Sequence, residues 1–234
     1  MPTPNSHLEI KNAILLIALD LCFTESDSVL AAEQIALRKF TPSDSYSYRC
    51  IADLLEAALV KADHIPSLLG QKSREHESLA ISRPVFITRL GNDRKSIIDN
   101  LALTLRRSPV DLLFFRRVQN ELVACECISY AEYYSKKEGL EITNTNPYDR
   151  NVHALILEIS REQVFMLLWR AVKSYSKTMR GASNHVTYKE LTTMSIEYYE
   201  RYCIRDAKIE RYGWPEVLPF SKLSLTLKKI ESLI

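Results

Sequence analysis

The chain reads as mainly α: a multi-helix globular body with one long helix, about residues 109–138, and at most a minor two-stranded β element. Three observations predict this class. Only five glycines occur in 234 residues, so backbone positions that need positive φ are few. Apolar residues recur every three or four positions through most of the chain. Ser or Thr followed three residues later by Glu or Gln recurs at the head of apolar runs, the signature of a capped helix start. Hydrophobic residues make up 46% and charged residues 26% of the chain, an ordinary globular balance with length enough for a substantial core. A single helical domain over residues 1–234 is expected. The alternative division is an N-terminal helical subdomain over 1–70 and a main body over 84–234.

Ser6 and Glu9 form the first capping box, and Leu8, Ile10, Ala13, Ile14, Ile17 and Leu21 predict a helix over about 7–22. Val29, Leu30, Ala32, Ile35, Ala36 and Phe40 suggest a second helix, ended before Pro42 by the clash of proline with a preceding helical residue. Ile51, Leu54, Leu55, Ala58 and Leu59 give a third over 46–62, closed by Pro66 and Gly70. Residues 71–83 are polar, without periodicity, and read as a loop.

Pro84 to Leu90 is short, bulky and β-branched, and is one of two strand candidates. Asn92 or Asp93 can cap a helix to about Arg107, with Ile97, Ile98, Leu101 and Leu105 inward. Ser108-Pro109 then opens the longest helix, because proline in the first turn loses no hydrogen bond while the serine caps free amides. Leu112, Phe115, Val118, Leu122 and Cys125 form its stripe, Gly139 stops it, and nearly thirty residues would span about 40 Å.

Residues 139–151 read as a polar loop around Pro147. Val152 to Ile159 is the second strand candidate, with a helical lead-in as the alternative. Ser160 and Gln163 form another capping box before a run, Val164 to Met179, that is apolar on nearly every side and should be central. Thr187 and Glu190 cap a tyrosine-rich helix expected to reach about Tyr212, closed by Gly213 and Pro215. The final helix starts near Ser221 and carries Leu223, Leu225, Leu227, Ile230 and Leu233.

A formal net charge of +2 makes no case for the whole molecule as a polyanion binder. The charge is locally uneven. Arg89, Arg94, Lys95, Arg106, Arg107, Arg116 and Arg117 face only Asp93, Asp99 and Asp111, a net +4 over residues 89–117. Arginine forks bind phosphate bidentately, so this segment is the candidate for sequence-independent nucleic-acid binding. The competing reading is a solvated helix face.

Tyr188, Tyr198, Tyr199, Tyr202 and Tyr212 fall in one predicted helix with Arg201, Arg205 and Arg211 among them. Tyrosine and arginine bury area at low entropic cost while keeping polar handles, which suits protein interfaces. Tyr198, Tyr199, Arg201, Tyr202 and Arg205 are therefore the candidate partner surface. A core helix with wet tyrosine tips explains them nearly as well.

Catalytic signals are absent. The glycines form no phosphate-cradling loop, no serine stands in a nucleophile elbow, and His7, His64, His76, His153 and His185 follow no metal-ligand spacing. Cys125 and Cys127 lack a second pair to close a zinc site. Cys22, Cys50, Cys125, Cys127 and Cys203 read as reduced thiols, pointing to the cytoplasm. The apolar run Ala13 to Phe23 contains Asp20 and is too short to span a bilayer. The expectation is a chain that is not an enzyme, with no cofactor, no metal, no membrane contact and no small-molecule substrate. Arg180 and His185 do stand in the Arg-x4-His spacing of helical HEPN ribonucleases, though seventeen arginines and five histidines make about one such pairing expected by chance.

The size, the helical body, the apolar opening helix from Asn12 to Leu21 and the missing chemistry resemble the small middle component of bacterial ABC three-component and Lamassu-type defence systems. That resemblance implies a non-catalytic bridge between a large coiled-coil ATPase of the chromosome-maintenance type and an effector, often a nuclease, held quiet until the ATPase senses foreign DNA. Its partners would be larger protein subunits, with DNA as a further candidate.

Overall fold

Helices dominate the computed structural model, which describes residues 5–24, 29–57, 59–62, 84–86, 93–178 and 184–234. The chain divides into two compact units, one of residues 1–119 with 220–234, the other of residues 120–219. The division thus falls inside the long helix, away from the polar stretch between residues 70 and 84.

In the first unit, α1 (Asn5–Asp20) is the central rod. Ile14, Leu15, Ile17, Ala18 and Leu19 are all buried, because α3 (Asp44–Glu56), α4 (Asp93–Arg107) and the C-terminal helix α9 (Lys222–Glu231) pack around it. Burial on several sides is what an apolar run without a polar stripe requires. Helix α9 is fixed at its start, where the Lys222 and Leu223 amides donate to the carbonyls of Lys39 and Phe40 at 2.7 and 3.0 Å. Ser221 caps it, accepting from the Ser224 amide. Ser43 caps α3 in the same way, accepting from Tyr46.

Two expectations fail here for one reason. Val29–Ala31 is a strand, β1, and the second helix is only α2 (Ala32–Leu37). The third helix stops at Glu56, and Lys61–Ala62 forms β2. Both strands pair antiparallel with β3 (Pro84–Phe86), in the order β1-β3-β2, with Val29 opposite Phe86 and Ala62 opposite Val85. Non-local pairing overrides local helical periodicity, which is a weak constraint on segments this short. The expected strand at 84–90 is present at 84–86, and residues 87–90 lie outside the described residues.

Helix α5 (Pro109–Lys137) is the predicted long helix, its residues up to Gln119 in the first unit and those from Asn120 in the second. Ser108 accepts from the Asp111 amide at 3.3 Å. Gly139, at φ 72°, ends it, with the Leu140 amide returning to Ser135 O at 2.8 Å and Gly139 to Lys136 O at 3.2 Å. This is the paired closure that a left-handed residue permits, and glycine adopts it without steric cost.

The second unit packs on α7 (Arg161–Thr178). Val164 to Leu168, Ala171 and Val172 are buried. Phe165 stacks on Tyr130 of α5 with ring centroids 4.4 Å apart and planes within 4°. Residues 150–158 form helix α6 (Arg150–Glu158), not a strand, because Asp149 caps them by accepting from the Asn151 and Val152 amides. The unit's strands are β4 (Glu141–Thr143) and β5 (His185–Thr187), paired parallel with Ile142 opposite Val186. Helix α8 (Tyr188–Ile204) has the complete Thr187–Glu190 capping box. It ends eight residues before the expected Tyr212, because Asp206 takes a positive φ of 49°, a conformation Asp tolerates better than most residues. The chain then doubles back, and the Tyr212 amide donates to Glu162 O at 2.9 Å. Among the described residues no helix is long and apolar enough to cross a membrane.

Asp20 is fully buried in the first unit and accepts from Arg94 Nε at 2.8 Å and from a second guanidinium nitrogen. Removing one partner of a buried pair leaves a desolvated charge. Arg94→Ala is therefore expected to lower unfolding free energy by about 3 kcal/mol, read from urea midpoints. An Asp20→Asn background should shrink that loss.

Candidate partner surface

Helices α7 and α8 pack side by side and run antiparallel: Arg170 meets Tyr198 and Tyr202, while Tyr175 donates its hydroxyl to His185 O at 3.1 Å beside the start of α8. Between Arg161 and Ser176, Arg170 is the single exposed residue. Its guanidinium carbon lies 4.9 Å from the Tyr198 ring centroid and 5.5 Å from that of Tyr202, and its Nη1 donates to the Tyr202 hydroxyl at 2.6 Å. Arg201 also lies over Tyr198, 5.5 Å from its ring centroid, with Glu197 at 3.6 Å. Contacts of this kind restrain the long arginine stem.

Of the five sequence candidates, Tyr198, Arg201 and Tyr202 come together. Tyr199 turns elsewhere. Its hydroxyl pKa is raised first by hydrogen bonding with the Cys203 side chain, then by its own burial and by the charges of Cys203 and Glu158. Arg205 caps the end of α8 and its side chain is exposed. Tyr188 is buried in the core and Tyr212 lies beyond the helix against Trp169, 5.2 Å between centroids. The member that sequence reading missed is Arg170. Its signal was present: it is the one charge in the run from Val164 to Val172.

At the N-terminal end of α8 lies an open depression of about 420 Å³ lined by Tyr175, Thr187, Lys189, Glu190, Thr193 and Met194. Its one carboxylate is engaged, because Glu190 Oε2 accepts from the Thr187 amide and hydroxyl at 2.7 and 2.8 Å. Burial, and then the Glu190 charge, raise the Tyr175 hydroxyl pKa, so it stays a neutral donor. At the helix ends Leu157 and Ile204 are 74% and 84% exposed.

The base of α7 is held by charge. Arg161 Nη1 reaches the buried Glu126 at 3.0 Å and Nη2 reaches Glu162 at 3.1 Å. Burial works against the guanidinium charge, but Glu126 and Glu162 outweigh it and raise the Arg161 pKa. Burial also opposes the Glu162 charge, and it is outweighed by a backbone hydrogen bond and by Arg161 and Arg211, so that carboxyl titrates below its ordinary value of 4.5.

The basic segment 89–117 disperses on folding. Arg89 lies outside the described residues, Arg94 is turned onto buried Asp20, and Arg116 pairs with Glu231 at 2.6 Å and with Gln119 at 2.8 Å. Lys95, Arg106, Arg107 and Arg117 remain exposed. Arg180 also lies outside the described residues. His185 is exposed on β5 and its Nδ1 is 3.4 Å from Glu141 of β4. Cys125 and Cys127 are both buried as free thiols, and burial pushes the Cys127 pKa far up. Among the described residues no group of His, Cys, Asp or Glu is arranged to hold a metal ion.

Comparison with protein-family models, curated proteins and solved structures finds no match to this chain.

A carboxylate whose folded pKa is lowered adds stability that is present above its unfolded value and disappears as pH falls through the folded one. Glu162→Gln should therefore flatten the loss of stability below about pH 4.5. Urea midpoints measured through that range should converge with wild type at the acid end.

Proposed function

We propose that the protein is a non-catalytic adaptor subunit that docks larger proteins through the α7–α8 face. The observation that carries this reading is Arg170, the one exposed residue between Arg161 and Ser176 of α7, lying over two tyrosine rings. An ordered cluster of arginine and tyrosine is the composition of interface hot spots, since little side-chain entropy is left to lose on binding. Resemblance to the middle component of ABC three-component and Lamassu-type defence systems extends the proposal. In that form the partners are a chromosome-maintenance-type ATPase and a nuclease effector, and the setting is cytoplasmic.

Co-expression of the tagged chain with the products of its neighbouring genes tests this. A stable hetero-complex is expected, and Tyr198→Ala with Arg201→Ala should weaken it at least about tenfold. A folded monomer that captures no neighbour, or a variant that captures as well as wild type, sinks the adaptor reading.

A second reading has its own support. Lys95, Arg106, Arg107 and Arg117 are exposed, and among the described residues none has a carboxylate within ion-pair distance. They would follow a nucleic-acid backbone without reading sequence. On this reading, affinity for a random-sequence DNA duplex falls steeply with salt, and Arg106→Ala, Arg107→Ala and Arg117→Ala together flatten the salt slope by about three. An unchanged slope excludes it.

A further inference from the structure

A protein that bridges two others needs two docking faces, and α7 with α8 supplies one, in the second unit. The first unit has an exposed face of its own where α4 ends and α5 begins. Leu103, Val110 and Leu113 are 42%, 47% and 60% exposed, and Arg106, Arg107 and Arg117 stand exposed among them. Among the described residues, none of these three guanidinium groups makes an ion pair or a hydrogen bond. The acids around them are fewer than the cations. Asp111 is buried, Glu231 is held by Arg116 at 2.6 Å, and Asp99 stands exposed on α4. Lys95 of α4, and Lys228 and Lys229 of α9, which packs against α4, are further exposed cations.

Helical spacing decides how charge and hydrocarbon are mixed on this face. At about 3.6 residues per turn, Arg106 and Arg107 flank Leu103 on either side of α4, and Arg117 falls between Val110 and Leu113 around α5. A bilayer holds charge and hydrocarbon at different depths, so a helix face turned toward one segregates the two. Here they are interleaved. A phosphate backbone offers the arginines an anion but offers the three aliphatic side chains no hydrocarbon. A protein segment that carries both carboxylates and aliphatic side chains meets both sets.

We propose that this face docks an acidic segment of a second partner protein, with Asp or Glu carboxylates on Arg106, Arg107 and Arg117 and aliphatic side chains against Leu103, Val110 and Leu113. The proposal rests on the adaptor reading and adds to it a second face and the chemistry of what that face holds.

Selection of a displayed library of random peptides on the immobilised full chain, counter-selected on the triple variant Arg106→Gln, Arg107→Gln and Arg117→Gln, provides the probes. Winners should carry two or more acids with aliphatic residues among them. By fluorescence anisotropy the triple variant should bind synthesised winners at least about tenfold more weakly, and Leu113→Ser should weaken them while every arginine is kept. Added salt should weaken the wild-type complex steeply and the triple variant's hardly at all. The substituted side chains are exposed, so melting temperatures should match wild type, and Leu113→Ser keeps the proposal testable if the triple variant does not fold. No enrichment, winners lacking either acids or aliphatic residues, binding unchanged in either variant, or tighter binding of a random-sequence DNA duplex or of phosphatidylglycerol vesicles than of any winner overturns the inference. In the co-expressed complex the triple variant should release one partner, and Tyr198→Ala with Arg201→Ala another. Loss of the same partner from both, or a triple variant that keeps every partner, overturns the inference and leaves the adaptor reading standing. A chain that captures no neighbour removes both.

Discussion

The second unit depends on burying α7 around its full circumference between Val164 and Leu168. A helix sheltered on all sides needs apolar residues at every inward angle, and Val164, Phe165, Met166, Leu167 and Leu168 supply five in succession. The Phe165–Tyr130 stack fixes how it meets α5, and aromatic pairs of this kind add about 1 kcal/mol beyond the area they bury. Arg161 locks its first turn to Glu126 and Glu162. With those contacts made, the one exposed position left before Ser176 falls at Arg170. There the arginine lies over the Tyr198 and Tyr202 rings and donates to the Tyr202 hydroxyl.

Much of the helical framework was legible because caps are short-range chemistry. Ser108, Thr187 and Ser221 each accept from an amide three residues on, and Gly139 stops α5 where it was expected to. The errors cluster where a distant partner decides. Nothing local in residues 29–31 announces that Val85 and Phe86 will pair with them, so helical periodicity carried the prediction past the strand. At 152–159 the apolar run is helical, and the cap that starts it is Asp149, outside the run itself. Helix α8 ends short of Gly213 because Asp206, a non-glycine residue, makes the left-handed turn.

The candidate site was legible only in part, and again for a physical reason. Tyr198, Arg201 and Tyr202 share a helix face and could be grouped by spacing, but Arg170 joins them through tertiary packing that no spacing rule contains. The same limit misdirects the arithmetic of charge. A net +4 over residues 89–117 looks like one electrostatic feature in the sequence, yet folding assigns Arg94 to a buried carboxylate and Arg116 to Glu231. Local sequence charge measures what is available to a surface, not what reaches it.

The two basic regions therefore differ in kind. Lys95, Arg106, Arg107 and Arg117 are exposed cations on flexible stems, each of which must give up its freedom to bind, so they favour diffuse, salt-sensitive attraction. Arg170 has given up that freedom already, held by two rings and a hydroxyl at 2.6 Å.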